Sequence, residues 1–236
     1  MNTTPIWTSL SDKGDLAMDH EGIIQNPSTR SLCMLVLDTS GSMSGSPIDD
    51  LNQSLQAFVD AVRQNEVAAC SFELGVISAG GTVREVLPLS LVGDIGEVPP
   101  LLADGITPLG TAVALALHRL QTRQAQYRRA GVACYTPHLV IVSDGKPTDS
   151  WQLVAQQVYG LSQQRKLVVM AVGVGKANLD VLQRFSPRAS QRLDQIGFTR
   201  FFDWLSSSVS RVSMSVSQSN TTSLGKEQFG FHDSWS

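Results

Sequence analysis

The stretch that decides the fold is LCMLVLDTSGS, at residues 32–42. Six apolar residues in a row are followed by one aspartate and then by small polar residues. This pattern is typical of a fully buried strand of a parallel sheet that ends in a loop. Two further stretches have a similar apolar run, LVIVSDG at 139–145 and LVVMAVGV at 167–174. The sequence therefore predicts three buried strands.

Segments with the spacing of amphipathic helices lie between these strands. One helix is predicted from Ser46, a potential N-cap that Pro47 follows at the first helical position. A longer helix is predicted from Thr107, with Pro108 at its first position. Further helices are predicted at 151–161, 178–185 and 198–212. Strands that alternate with helices in this way indicate an α/β domain.

An antiparallel pair of strands is predicted after the first helix. Residues 67–78 and 82–87 have strand-like patterns and flank Gly80 and Gly81, which favour a tight turn. Pro88, Pro99 and Pro100 then mark a loop. We therefore predict an α/β fold with a doubly wound, mostly parallel sheet and one antiparallel edge strand.

The predicted domain spans residues 31–212. Residues 1–30 form an N-terminal extension, and residues 213–236 form a Ser-rich tail with few apolar side chains. A segment of that composition buries too little surface to offset the entropy lost on ordering, so we expect the tail to be flexible.

Composition argues against several classes of partner. The net charge is -3, and Lys and Arg form no run of the kind that nucleic-acid arms show. The apolar stretches are of strand length, well below the roughly 20 residues that cross a bilayer. The N-terminus has no apolar stretch behind a basic start. We expect a cytoplasmic protein that binds neither nucleic acid nor membrane.

Oxygen-bearing side chains follow the predicted strands. Asp38, Ser40 and Ser42 come after the first strand, Asp144 follows the second long apolar strand, and Thr107 begins a helix just after a loop. Open α/β sheets place ligand sites at the carboxyl ends of their strands. Oxygen ligands without imidazole or thiolate select hard ions. We predict a Mg²⁺ site formed by these five residues, which would also suit Mn²⁺ or Ca²⁺.

The pattern resembles the metal-ion-dependent adhesion site (MIDAS) of the von Willebrand factor A (VWA) domain family. The DxSxS element at 38–42, Thr107 and Asp144 match the family's motif, and the resemblance covers about residues 30–212. It implies a Rossmann-like VWA fold and a protein-binding rather than a catalytic function. It also implies that the bound ion accepts an Asp or Glu carboxylate from a partner protein, because neutral hydroxyls leave the ion's charge poorly neutralised.

Within that family, three longer stretches are similar to the bacterial tellurite-resistance TerY/YegL group: DTSGSMSGSPID at 38–49, ITPLGTAV at 106–113 and SDGKPTD at 143–149. This similarity implies a bacterial stress or signalling assembly. Its partners would include a protein kinase and a PP2C-type phosphatase.

Two ligand assignments have alternatives. The group's usual Gly-Gly-Thr reads Gly105-Ile106-Thr107 here, and Thr111 lies one helical turn further on. We favour Thr107, because an N-cap hydroxyl lies at the mouth of the sheet. Asp149 is expected to cap the helix that follows it rather than to bind metal.

Two other functions compete with adhesion. The first is a phosphohydrolase with Asp38 as nucleophile, although the second carboxylate usual in such enzymes is replaced by Ser40. No GxxxxGKS/T phosphate loop and no GxSxG elbow is present. The second is a scaffold that binds no metal. We expect a protein that is not an enzyme.

Overall fold

Six strands form one sheet in the computed structural model, which describes residues 28–193 and 197–218 and, over 209–218, the backbone alone. The strands are β1 (Ser31–Asp38), β2 (Phe72–Gly80), β3 (Thr82–Leu91), β4 (His138–Ser143), β5 (Val168–Gly173) and β6 (Gln191–Arg192). Their order in the sheet is β3-β2-β1-β4-β5-β6. Only the β2–β3 pair among them is antiparallel. The predicted fold class is confirmed.

Helices cover both faces of the sheet. They are α1 (Ser46–Arg63), α2 (Glu66–Ser71), α3 (Leu109–Ala130), α4 (Gln152–Gln163), α5 (Leu179–Leu182) and α6 (Gly197–Gln218). Successive side chains of β1 enter two separate apolar clusters: Leu35 packs on the side of α1 and α6, and Met34 on the side of α3 and α4. Because β1 is buried on both faces, its sequence is apolar without alternation.

The prediction of a strand at residues 67–71 is wrong. It belongs to α2, which begins where the Asn65 side chain accepts a 3.0 Å hydrogen bond from the Ala68 amide. Such a side-chain cap satisfies an amide that has no partner in the first helical turn. Capping therefore outweighs the strand-like apolar run.

Of the three prolines predicted to mark a loop, Pro99 and Pro100 lie in one, but Pro88 does not, because β3 continues through it to Leu91. β3 is an edge strand of the sheet, and its pairing with β2 is irregular between Leu74 and Ile77. A proline lacks an amide donor, which an edge strand or an irregularity tolerates.

Helix α6 extends to Gln218, six residues beyond the predicted end of the domain at 212. Residues 1–27 and 219–236, which hold most of the predicted extension and tail, lie outside the described residues. Within the described ranges, none of the helices combines the length and the hydropathy that a bilayer crossing requires.

Candidate metal centre

The register of the sheet brings the first two predicted ligand loops together. Leu37 of β1 pairs with Val142 of β4 in a parallel ladder, so the next residues, Asp38 and Ser143, end their strands side by side. From β1 the chain continues to β2, which lies on one side of β1 in the sheet, whereas β4 lies on its other side. This is the topological switch point, where the crevice of an open α/β sheet receives its ligands.

Asp38 forms the floor of the crevice. It is 1% exposed, and its Oδ1 accepts a 2.9 Å hydrogen bond from the Ser40 amide. Its Oδ2 accepts a 2.6 Å bond from the Ser143 hydroxyl and a 3.4 Å bond from the Asp144 amide. A buried carboxylate is costly unless donors surround it. Three donors therefore hold the Asp38 side chain in one orientation.

Ser40, Ser42 and Asp144 form a row of oxygens in front of Asp38. The two serine hydroxyls lie 3.0 Å apart, and the Ser42 hydroxyl lies 3.4 Å from Asp144 Oδ2. Asp144 Oδ1 in turn accepts a 3.1 Å hydrogen bond from the Lys146 amide. The structure thus brings three of the predicted ligands together, although 102 residues separate Ser42 from Asp144.

The loop that carries Thr107 is attached to the other two by backbone hydrogen bonds. The Gly41 amide donates to the Gly105 carbonyl at 2.9 Å, and the Thr148 amide donates to the Thr107 carbonyl at 2.9 Å. Thr107 itself is 4% exposed, and within the described part of the chain its hydroxyl makes no hydrogen bond. A hydroxyl left without a partner beside the crevice is suited to ligate an ion.

A pair of glycines allows this loop to reach the site. Gly105 and Gly81 both adopt positive φ, at 57° and 60°, a region that glycine occupies without strain. A Cβ on Gly105 would lie 2.7 Å from the Gly81 Cα. The two loops therefore approach too closely for a side chain at Gly105.

The start of α3 differs from the prediction, and Thr107 is not its N-cap. The helix begins at Leu109, and the donors of its first turn are satisfied by Asp149. The Asp149 carboxylate accepts from the Gly110 amide at 2.9 Å and from the Thr111 amide and hydroxyl, both at 2.7 Å. The prediction that Asp149 caps the following helix is wrong, because it caps α3 across the crevice.

The hydrogen bond between Thr111 and Asp149 helps to decide which threonine is the better candidate for a metal ligand. The Thr111 hydroxyl is already a donor within the protein, whereas that of Thr107 has no such partner in the described structure. The geometry thus favours Thr107 as the candidate ligand.

The comparison with protein families agrees with this architecture. The profile of the von Willebrand factor type A domain matches residues 33–199, which is most of the chain. The chain belongs to the VWA domain family. No curated protein sequence matches it.

Solved structures share the VWA fold at low sequence identity. The pilus adhesin SpaC of Lactobacillus rhamnosus GG, in its open conformation, superposes with a TM-score of 0.64 and 12% identity over 79% of this chain and 31% of its own. Proximal thread matrix protein 1 of the mussel byssus gives 0.53 and 16% over 80% of this chain and 47% of its own. This chain thus spans less than half of either protein, and the likeness shows the fold alone.

An aerotolerance-related membrane protein of Bacteroides fragilis, carrying multiple mutations to serine, is similar over nearly its whole length. Its TM-score is 0.51 with 16% identity, over 77% of this chain and 99% of its own. The VWA fold described here is thus shared with a solved chain that it covers almost entirely and with two chains of which it covers less than half.

The donor set of this VWA domain fits a small hard cation. Neighbouring ligands in an octahedral Mg²⁺ shell with bonds of about 2.1 Å are about 3.0 Å apart. The Ser40 and Ser42 hydroxyls match this spacing at 3.0 Å. In the described part of the chain, no group of three or more His, Cys, Asp or Glu side chains is arranged to hold an ion. A metal here would consequently depend on hydroxyls as well as on Asp38 and Asp144.

Sequence reasoning missed two residues of this crevice. Ser143 is fully buried and joins Asp38 to the Gly145 amide, which donates to its hydroxyl at 3.0 Å. The Lys146 ammonium lies 3.4 Å from Asp144 Oδ2, although the Lys146 side chain is 63% exposed. Both lie in the SDGKPTD stretch, within two residues of Asp144. This proximity to a predicted ligand is the sequence feature that could have identified them.

Proposed function

We propose that this VWA domain binds Mg²⁺ through Asp38, Ser40, Ser42, Thr107 and Asp144, and that the ion docks an Asp or Glu carboxylate of a partner protein. The observation that carries the proposal is the row of oxygens formed by Ser40, Ser42 and Asp144, with spacings of 3.0 and 3.4 Å, in front of the buried Asp38. VWA domains commonly mediate protein–protein interaction, which agrees with this function.

The charges of the site favour an anionic partner. The two carboxylates of the donor set formally balance the charge of a divalent ion, but Asp38 is buried and its charge is shared with three hydrogen-bond donors. The remaining donors are neutral hydroxyls, which offset little of a divalent charge. Lys146 adds a further positive charge beside Asp144. A bound Mg²⁺ supplies a Lewis-acidic position at the surface that an incoming carboxylate completes.

Each residue of the site has a distinct part in this function. Ser42 and Asp144 lie at the mouth of the crevice, where they are accessible to an ion, whereas Ser40 is almost fully buried. Asp38 and Ser143 hold the two strand ends together behind them. The Gly41 to Gly105 hydrogen bond keeps the Thr107 loop beside the serine loop.

The same stretches of sequence support a finer assignment to the TerY/YegL-like group. On that basis the domain would act in the cytoplasm of a bacterium, in a stress or signalling assembly that contains a protein kinase and a PP2C-type phosphatase. The domain itself would not be an enzyme. The sequence supports this view, because Ser40 stands where phosphohydrolases with an aspartate nucleophile usually carry a second carboxylate.

Metal binding is tested first with purified protein. Mg²⁺ should raise the thermal midpoint of the wild type, and calorimetry should detect one site. Asp38→Ala and the pair Ser40→Ala with Ser42→Ala should lose the shift while keeping the fold. Ser44→Ala, an exposed residue of the same loop, is the matched control and should bind as the wild type does. Equal Mg²⁺ binding by Asp38→Ala would remove Asp38 from the site.

Partner binding is tested by affinity capture with Mg²⁺ and again with chelator. Partners that depend on the site should be recovered only with metal and should be absent with the Ser40 and Ser42 double variant. Metal-dependent turnover of a phosphate ester by the wild type would instead favour the hydrolase. Absence of any Mg²⁺ effect on a folded protein would favour a scaffold that binds no metal.

A further inference from the structure

A second cleft lies at the amino ends of the parallel strands, far along the sheet from the metal centre. It has a volume of about 660 Å³ and is bounded by α3, α4 and the segment 134–137, which precedes β4. Leu117, Leu120 and Leu167 form its base and are 4% exposed or less, whereas Leu161 and Tyr135 are half-buried and present apolar surface to the cleft. An occupant could therefore place apolar side chains on these two residues.

The rim of the cleft is positively charged. Arg128, Arg165 and Lys166 line it and are exposed, and among the described residues no acidic side chain lines it. These cations lie near the carboxyl ends of α3 and α4, where they also stabilise the helix dipoles. Stabilisation of the helix dipoles alone does not require these cations to lie around a cleft that also contains apolar surface. An occupant should accordingly combine negative charge with apolar residues.

Arg165 occupies an unusual backbone position at this rim. Its φ is 58°, in the left-handed region, and it is the only residue other than glycine with positive φ in the described structure. The Lys166 amide donates to the Leu161 carbonyl at 2.9 Å, which is the helix-ending turn where glycine is usual. A side chain at this position costs about 1 kcal/mol relative to glycine. Arg165 nevertheless occupies this position, and it lines the cleft.

The N-terminal segment of the chain enters the described structure at the wall of this cleft. The Arg30 amide donates to the Ala133 carbonyl at 2.8 Å, and the Tyr135 amide donates to the Arg30 carbonyl at 2.9 Å. Arg30 also forms an isolated bridge with Cys134. Tyr135 and Cys134 both line the cleft. Arg30, two residues after the start of the described chain, therefore lies at its edge.

The composition of that segment complements the cleft. Residues 1–27 contain four carboxylates and one lysine, and apolar residues lie among and after the carboxylates. The carboxylates are Asp12, Asp15, Asp19 and Glu21, and the neighbouring apolar residues are Leu16, Met18, Ile23 and Ile24. Acidic and apolar side chains are thus combined in the residues nearest to the point of entry.

We propose that residues 12–24 bind in this cleft of their own chain, with apolar side chains on Leu161 and Tyr135 and carboxylates beside Arg128, Arg165 and Lys166. Six residues lie between Glu21 and Ser28, and the seven steps of an extended chain between them reach about 23 Å. Because a short tether gives an effective concentration of about a millimolar, weak contacts suffice for occupancy. This interaction is independent of the metal centre.

The test is hydrogen exchange in residues 12–24 of the full chain at low salt. If the intramolecular affinity constant corresponds to about 0.1 mM, exchange in the wild type should be about tenfold slower than in Arg165→Glu with Lys166→Glu, which repels the segment. Arg129→Glu with Lys176→Glu is the control, because it changes the net charge equally and neither residue lines the cleft. Thermal midpoints check that both double variants are folded.

A charge swap completes the test. Adding Asp19→Lys and Glu21→Lys to the Arg165→Glu and Lys166→Glu variant should restore slow exchange. Equal exchange in the wild type and the cleft variant would overturn the proposal, as would failure of the swap. Protection that grows with protein concentration would place the segment on a second copy and would equally overturn it.

Discussion

The hydroxyl of Ser143 donates a 2.6 Å hydrogen bond to the Oδ2 atom of Asp38, and both residues are buried at the ends of neighbouring strands. This contact joins the DxSxS loop to the loop that carries Asp144. Ser143 also accepts from the Gly145 amide. One hydroxyl therefore fixes the relative position of the two carboxylates of the proposed metal site.

We expect Ser143→Ala to lower the free energy of unfolding by about 1.5–3 kcal/mol, because a hydrogen bond to a buried carboxylate is lost. Urea denaturation measures this change. Mg²⁺ affinity should fall as well, since Asp38 loses its orientation. The control is Ser90→Ala, whose hydroxyl bonds only the nearby Pro88 carbonyl in an exposed position; its effect should stay within about 0.5 kcal/mol. Equal stability of both variants would mean that the contact contributes nothing.

Lys146 is expected to compete with the metal ion for Asp144. Its ammonium lies 3.4 Å from Asp144 Oδ2, so binding of a cation brings like charges together. Lys146→Gln should therefore raise Mg²⁺ affinity, by about threefold to tenfold at low ionic strength. Calorimetry with Mg²⁺ provides the measurement. Lys176→Gln removes the same charge from an exposed site after β5 and should change the affinity less than about twofold. Weaker Mg²⁺ binding by Lys146→Gln would show that Lys146 supports the site instead.

Asp149→Ala should destabilise the start of α3. Three donors of Gly110 and Thr111 lose their acceptor, and loss of a helix cap costs about 0.5–2 kcal/mol. Hydrogen exchange at the Gly110 and Thr111 amides should accelerate, and urea denaturation should show the loss. Asp180→Ala, in the exposed first turn of α5, should cost less than about 0.5 kcal/mol. Unchanged exchange at the start of α3 would contradict the capping role.

His138 should make stability depend on pH. Burial, with a smaller contribution from the charge of Arg188, lowers the pKa of this imidazole from 6.5 to about 4. Below pH 6.5 the unfolded chain takes up a proton that the folded chain does not. The contribution of His138 to the free energy of unfolding is thus fully present above pH 6.5 and is lost as the pH falls toward 4. At pH 4.5 the loss is about 2–3 kcal/mol.

The measurement for His138 is the difference in unfolding free energy between pH 7.5 and pH 4.5. The difference should shrink by about 2 kcal/mol in His138→Gln, because the titrating group is removed. His118→Gln changes an exposed histidine and should leave the difference close to that of the wild type. An unchanged difference in His138→Gln would mean that another group causes the pH dependence.

Much of the fold could be predicted from local pattern. The apolar runs at β1, β4 and β5 are buried on both faces and therefore lack alternation, which identified them as central strands. The stripe of α1 was equally clear. Two predictions failed where a single contact or a position in the sheet outweighs the local pattern. The Asn65 cap begins α2 within a run that was predicted as a strand. The edge position of β3 tolerates Pro88, which was predicted to lie in a loop.

The metal-site prediction depended on the order of the strands and helices as well as on local pattern. Asp38, Ser40 and Ser42 are close in the chain, and the carboxyl ends of parallel strands meet at one edge, so their approach to Asp144 followed from the order of elements. The roles of Asp149 and Ser143 did not follow. Each acts on a residue that is 38 or 105 positions away, and a distance in sequence says nothing about which of several nearby polar groups will be the partner.

The sequence by itself determined the class of the fold and the identity of the candidate ligands, because burial on two faces and strand-end polarity are both properties of consecutive residues. Only the tertiary structure decided which carboxylate caps α3, which hydroxyl holds Asp38, and which cations surround the cleft beside Tyr135. These contacts depend on the register between β1 and β4 and on the packing of α3 against α4. Register and packing are set by the whole core at once, and a short stretch of sequence does not contain them.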